Sequence, residues 1–200
     1  MVKVILTVII SYLIGSISPS IILGRMRVID IKKEGSGNAG TTNALRVLGA
    51  KAAIITLVVD VLKGLLPALL LPLIFGMPSL AYWAAIAAFI GHLFPLYYGF
   101  KGGKGVAVAF GSLLGVNWKL ALLCLLTVAI VTLITKRMSA GSISGAALAV
   151  VYTIFLEKAF LPFVIVMAAL IIFMHRGNIK RLIKGEEPPL GFLAGKGKGK

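Results

Sequence analysis

Apolar residues in this chain come in long unbroken runs, and the polar residues are gathered into the gaps between them. Continuous apolar stretches of this length, without period-2 alternation, predict buried or membrane-spanning helices. Seven runs stand out, at 4–23, 52–75, 80–98, 106–117, 120–135, 143–156 and 160–174. Crossing a ~30 Å hydrocarbon core takes about 20 helical residues, so the shorter runs must extend into their flanks or meet a locally thinned bilayer. The run 106–117 is the one that length alone leaves in doubt. Composition supports lipid as the solvent: 59% of the 200 residues are hydrophobic, and mean hydropathy is +1.03. A soluble chain of this size cannot hide that much apolar surface.

Charge decides the doubtful run. If all seven cross, one face receives Arg25, Arg27, Lys32, Lys33, Arg46, Lys51, Lys101, Lys104, Lys136, Arg137 and the basic residues from Arg176 onward, which is 17 of the 21 Lys and Arg. The opposite face keeps only Lys3, Lys119 and Lys158, and Lys63 lies inside a span. Basic residues accumulate in cytoplasmic loops, so this asymmetry predicts seven helices with the N-terminus outside and the C-terminus in the cytoplasm. Without the run 106–117 the asymmetry mostly vanishes. The net charge of +15 would suggest nucleic acid in a soluble domain, but here it is scattered through linkers instead of forming one face, so no nucleic-acid partner is expected. The single cysteine, Cys124, sits in an apolar run and reads as packing. The first run, led only by Lys3, reads as a retained span and not a cleaved leader. One transmembrane domain over 1–192 is expected, followed by a low-complexity Gly/Lys stretch at 193–200 that is disordered, bound to anionic lipid, or an appended scar.

The outer connections are tight turns, whereas the inner ones are long and hold the polar chemistry in three clusters. The first runs from Gly35 to Asn43 and leads into Arg46; it matches G-x-G-x-x-G by letter. A dinucleotide site would need a preceding strand and a βαβ unit, which the surrounding apolar helices exclude. What remains is backbone that can approach a phosphate closely, hydroxyl and amide donors, and a helix start that attracts anions; the competing reading is a flexible loop with a Thr or Asn helix cap. The second cluster is Gly91-His92-Leu93-Phe94-Pro95 followed by Gly99-Phe100-Lys101-Gly102-Gly103-Lys104-Gly105. It is no Walker loop, since Gly105 stands where a hydroxyl would bind magnesium, yet glycine this dense before a helix exceeds what a turn demands. The third runs from His175 through Asn178, Lys180 and Arg181 to Glu187; it reads either as an interfacial amphipathic segment or as a polar grip in which a glutamate orders a neighbouring Arg or Lys. Asp60 and Lys63, three apart in the second run, are placed to pair on one helix face; His92 reads as a hydrogen-bonded packing histidine. Ser139, Ser142 and Ser144 open the sixth run, where a serine commonly caps, although Ser142 becomes a phosphate donor if the site is real.

Together, Ser36-x-Asn38-x-Gly40-x-Thr42-Asn43, Gly91-His92-x-Phe94-Pro95 with Gly103-Lys104-Gly105-Val106-Ala107, and Asn178-Ile179-x-Arg181-Leu182 with Gly185-x-Glu187-Pro188 resemble the bacterial acyl-phosphate-dependent glycerol-3-phosphate acyltransferases. The resemblance covers blocks 35–46, 91–107 and 175–187. It implies transfer of a fatty acyl group from acyl phosphate to the 1-hydroxyl of glycerol 3-phosphate, giving lysophosphatidic acid and phosphate for phospholipid synthesis. It also implies a multi-pass protein of the bacterial inner membrane with its site facing the cytoplasm. The chain lacks a His-x-x-x-x-Asp dyad, with Tyr97 and Lys180 at the positions where an Asp would follow His92 and His175. Lys104, Ser142 and His175 are then the catalytic candidates. Ser36, Gly37, Asn38, Thr42, Asn43, Arg46, Gly102, Gly103, Gly105, Asn178, Arg181 and Glu187 are the substrate-binding candidates. No metal or cofactor is expected from six acidic residues; membrane lipids are the expected surroundings, and a monomer suffices although the oligomeric state is left open. The alternative is a small-anion or phosphate transporter, which would need polar residues through the outer half of the bundle or an internal repeat.

Overall fold

The computed structural model describes residues 1–190, which contain helices, turns and loops and no strand; the Gly/Lys stretch at 193–200 lies outside the described residues. Two compact units follow one another along the chain, 1–118 and 119 onward.

The first unit holds α1 (Val2–Gly15), α2 (Pro19–Met26), α3 (Thr41–Leu48), α4 (Ala50–Phe75), α5 (Leu80–Leu93) and α6 (Val106–Val116). The first apolar run is broken at Ser16–Ser18, and Pro19 takes the first helical position of α2, where its missing N–H matters least. A break among apolar helices leaves backbone groups that lipid cannot satisfy. Here Ser16 Oγ donates to the Tyr12 carbonyl at 2.8 Å, and Lys63 Nζ donates to the Ile17 carbonyl at 2.6 Å. Between membrane helices the hydrophobic effect offers little, so close backbone packing between small residues takes over. A Cβ at Gly111 would stand 2.0 Å from the Val61 carbonyl oxygen, and one at Gly15 would stand 2.1 Å from that of Ala88. Glycine is therefore what allows α6 to lie on α4, and α1 on α5.

The second unit contains α7 (Trp118–Thr135), whose first residue closes the first unit, α8 (Met138–Leu156), α9 (Leu161–Met174) and α10 (Arg176–Ile183). Gly141 brings α8 onto α7, since a Cβ there would stand 2.2 Å from Thr132 Oγ1. The chain bends by 57° at His175, between α9 and α10.

Among the described residues, five helical segments can cross a membrane by length and hydropathy, Val2–Met26 counting as one, and a sixth is added if the bent pair of α9 and α10 is a single span. The protein is an all-helical, multi-pass membrane protein. The expected seventh crossing rests on α6, whose 11 residues span about 17 Å, well short of the hydrocarbon core.

Candidate functional site

The first cluster folds around one amide. Asn43, buried on α3, accepts the Ser36 N–H on Oδ1 at 2.8 Å, while its Nδ2 donates to the carbonyls of Ile31 (3.1 Å) and Glu34 (3.0 Å). Its amide is thereby used in shaping the 31–36 loop. Gly37 sits at φ +69 within that turn, Ser36 is exposed, and Asn38 and Thr42 are half-buried. Arg46 is exposed in the last turn of α3. The anticipated Thr or Asn cap is absent: Gly40 occupies the N-cap with no side-chain bond. Anchoring comes from Ala44 and Leu48, which pack with Ile21, Ile31, Ala52 and Ala53. Beside this loop Lys32 donates to the Tyr98 carbonyl at 3.0 Å. Burial, with Lys101 and Arg25 nearby, holds the Lys32 ammonium below its ordinary pKa against the pull of Asp30.

The second cluster is a loop laid on the end of α5. Gly102 N donates to the Leu93 carbonyl at 3.1 Å, and Gly103 N to the His92 carbonyl at 3.2 Å. Those two N–H groups thus seat the loop on α5. Gly105 turns it into α6 at φ +83, with Phe89 so close that a Cβ would stand 2.3 Å from its ring. Lys104, half-buried, is held between two glycines whose positions α5 fixes. A Cβ on Gly103 would also stand 2.9 Å from the Ala39 carbonyl oxygen, so the first and second clusters abut. Beneath the loop lie Asp60, Lys63 and His92, all buried. Lys63 Nζ stands 2.8 Å from Asp60 Oδ1 and 2.8 Å from His92 Nδ1, so the α4 pair and the α5 histidine form one network. The i,i+3 spacing carried the pair; nothing in the sequence linked it to His92.

In the second unit Glu187 is the organising group. Its Oε1 accepts Ser139 Oγ at 2.7 Å and Asn178 Nδ2 at 2.5 Å; its Oε2 accepts Arg181 Nε at 2.7 Å. Burial would raise the carboxyl's pKa, but these three donors and the Arg181 charge outweigh it and hold the group below its ordinary value. The Arg137 guanidinium donates to the Glu187 carbonyl, and Leu190 N to the Lys136 carbonyl at 2.9 Å, tying the segment after α10 to the start of α8. The serines of α8 do not cap it, because Arg137 is the N-cap and its side chain makes no capping bond to the helix. Ser139 instead serves Glu187, and Ser142, buried one turn on, bonds back to the Met138 carbonyl at 2.9 Å. His175 is buried at the bend, its Nδ1 2.8 Å from the Ile171 carbonyl. A carbonyl only accepts, so Nδ1 carries a proton in this contact. Sequence reasoning named Ser139 as a cap candidate and Arg137 only as an inner-face cation, and missed their bonds to Glu187, which depend on the chain returning to α8 about 50 residues later.

The family profile described as Glycerol-3-phosphate acyltransferase matches residues 5–185. Proteins named glycerol-3-phosphate acyltransferase from Thioalkalivibrio sulfidiphilus and Shewanella sediminis are similar to the chain: 44% identical over 184 residues (90% of this chain, 91% of the relative) and 45% over 179 residues (88% and 89%). The crystal structure of PlsY (YgiH), described as an integral membrane glycerol 3-phosphate acyltransferase in its glycerol 3-phosphate form, superimposes with a TM-score of 0.89 at 36% identity, covering 95% of this chain and 96% of that one. Its lysophosphatidic acid form gives 0.86. With the glycine-seated loop and the Asn43-centred turn both inside residues 5–185, the chain belongs to the glycerol-3-phosphate acyltransferase family.

Proposed function

We propose that the protein transfers a fatty acyl group from acyl phosphate to the 1-hydroxyl of glycerol 3-phosphate at the cytoplasmic face of a bacterial inner membrane, for phospholipid synthesis. The observation that carries this reading is the seating of Lys104 between Gly103 and Gly105 on the end of α5, against the backbone of the first cluster. The reading includes seven crossings with the N-terminus outside. Lys104, Ser142 and backbone N–H groups hold the phosphoryl of the donor, polarise its carbonyl and stabilise the departing phosphate. Gly102 and Gly103 contribute by fixing the loop, and Asn43 by shaping the turn that presents Ser36, Gly37, Asn38 and Thr42. Arg46, Ser36, His175 and Asn178 hold glycerol 3-phosphate with its hydroxyl in line with the carbonyl, Glu187 and Arg181 keeping Asn178 in place. The hydroxyl oxygen forms the new ester bond, the acyl–phosphate C–O bond breaks, and a phosphate oxygen takes the hydroxyl proton.

Purified protein incubated with radiolabelled glycerol 3-phosphate and, separately, palmitoyl phosphate or palmitoyl coenzyme A tests this directly. Labelled lysophosphatidic acid from the phosphate donor alone is the expected result. Exclusive use of the thioester overturns the donor, and no product from either overturns the reading.

A further inference from the structure

Three buried ionisable side chains lie under the Lys104 loop, and the proposed chemistry does not use them. Asp60 and Lys63 come from one face of α4, and His92 from the last turn of α5. Their relative exposures are 1%, 4% and 5%. Charged groups at such depth are unfavourable unless paired, and a pair without a further task is readily replaced by apolar packing. The arrangement gives this one a task. The Lys63 ammonium has three neighbours: the Asp60 carboxylate, His92 Nδ1, and the Ile17 carbonyl exposed by the break between α1 and α2. An ammonium only donates, so Nδ1 is the accepting nitrogen of the ring. The other ring edge is turned to the loop: a methyl built on Gly103 would stand 2.3 Å from His92 Nε2 and 2.8 Å from Cε1. Gly103 N meanwhile donates to the His92 carbonyl. Backbone and ring of one residue thus both define where Gly103 lies, and Lys104 is its neighbour in the chain.

We infer that His92, oriented by Lys63 and Asp60, is a positioning residue for the donor phosphate: its ring is the floor that sets the height of the Gly102–Gly105 loop and so of Lys104. The network also ties the loop to the α1–α2 break through Ile17. This inference rests on the reading of that loop as the acyl-phosphate site. A floor beneath one substrate's loop should act on that substrate alone, so the informative quantity is the split between the two KM values.

The test uses the full-length enzyme in detergent with palmitoyl phosphate and glycerol 3-phosphate varied in turn. In His92→Ala the KM for palmitoyl phosphate is expected to rise about tenfold, with that for glycerol 3-phosphate within about twofold of the parent and the unfolding temperature still measurable. His92→Gln, which keeps a hydrogen-bonding group over Lys63, should recover part of the loss. Gly103→Ala, whose methyl meets the ring and the Ala39 carbonyl, should show the same split. The double variant should be no worse than Gly103→Ala alone, because removing the ring makes room for the methyl. If His92→Ala does not fold, His92→Gln and Gly103→Ala decide through the same split. An unchanged donor KM, an equal rise in both KM values, or strictly additive losses overturns the inference. Failure of the parent enzyme to use palmitoyl phosphate strikes the donor reading instead, and the split is then read on the donor it does use.

Discussion

The two units hold their buried polar groups by opposite means. In the first, the charges sit on helices and the loop rests on them: Asp60, Lys63 and His92 are fixed by α4 and α5, and the Gly102–Gly105 backbone is laid over the top. In the second, the charge sits on the loop and the helices serve it: Glu187, beyond α10, draws donors from Ser139 on α8 and from Asn178 and Arg181 on α10. The difference is one of solvent. Among apolar helices no water can replace a lost partner, so the groups must be carried on rigid elements at fixed spacing. Near the polar end of α10, where the Arg181 side chain is 42% exposed, a carboxylate on a loop can gather its donors and still be rescued by water if one is lost.

Substitutions that remove one partner at a time sharpen this contrast, and the membrane-buried network should give the largest response. Lys63→Met leaves Asp60 buried without its cation, and a loss of about 3–5 kcal/mol is expected in detergent unfolding. A loss below ~1 kcal/mol would mean that the pair is solvated and the contrast false. Lys104→Ala is expected to leave the fold intact and, on the proposed chemistry, to remove the cation that holds the donor phosphate. Its acyl transfer should fall by about 10²–10³-fold, and near-normal turnover would take Lys104 out of the chemistry. Glu187→Gln keeps the size of the side chain and weakens three charge-assisted bonds, which should lower stability by about 1–3 kcal/mol. The same carboxyl predicts a pH dependence. Its folded pKa lies below the ordinary 4.5, so its contribution is complete above that value and is lost as pH falls through the folded one. Thermal unfolding followed from about pH 6 down to about pH 3 should show this loss in the parent and a smaller one in Glu187→Gln. The smallest effect is expected for His175→Ala: a few-fold in kcat with a raised KM for glycerol 3-phosphate, as for a residue that binds the hydroxyl. A collapse of kcat at unchanged KM would make His175 the proton acceptor.

Much of the helical layout follows from run length and turn chemistry, as α4 and α5 show. α4 ends at Phe75 with Gly76 left-handed at φ 63, α5 begins at Leu80, and the tight turn read from Gly76-Met77-Pro78-Ser79 lies between them. α6 is harder to read. Val106–Val116 is apolar and follows a glycine-rich loop, but whether 11 residues cross is a property of its neighbours and the lipid, not of its own composition.

The amino-acid sequence by itself determined that this chain lives in lipid, where its polar clusters fall, and that Asp60 and Lys63 share a face, because hydropathy and helical periodicity are local properties. Only the tertiary structure decided that His92 joins that pair, that Ala39 abuts Gly103, and that Ser139 answers Glu187 and not a helix end. Those contacts join residues 29, 64 and 48 positions apart, and their partners are chosen by glycine-permitted backbone packing, which no local pattern encodes.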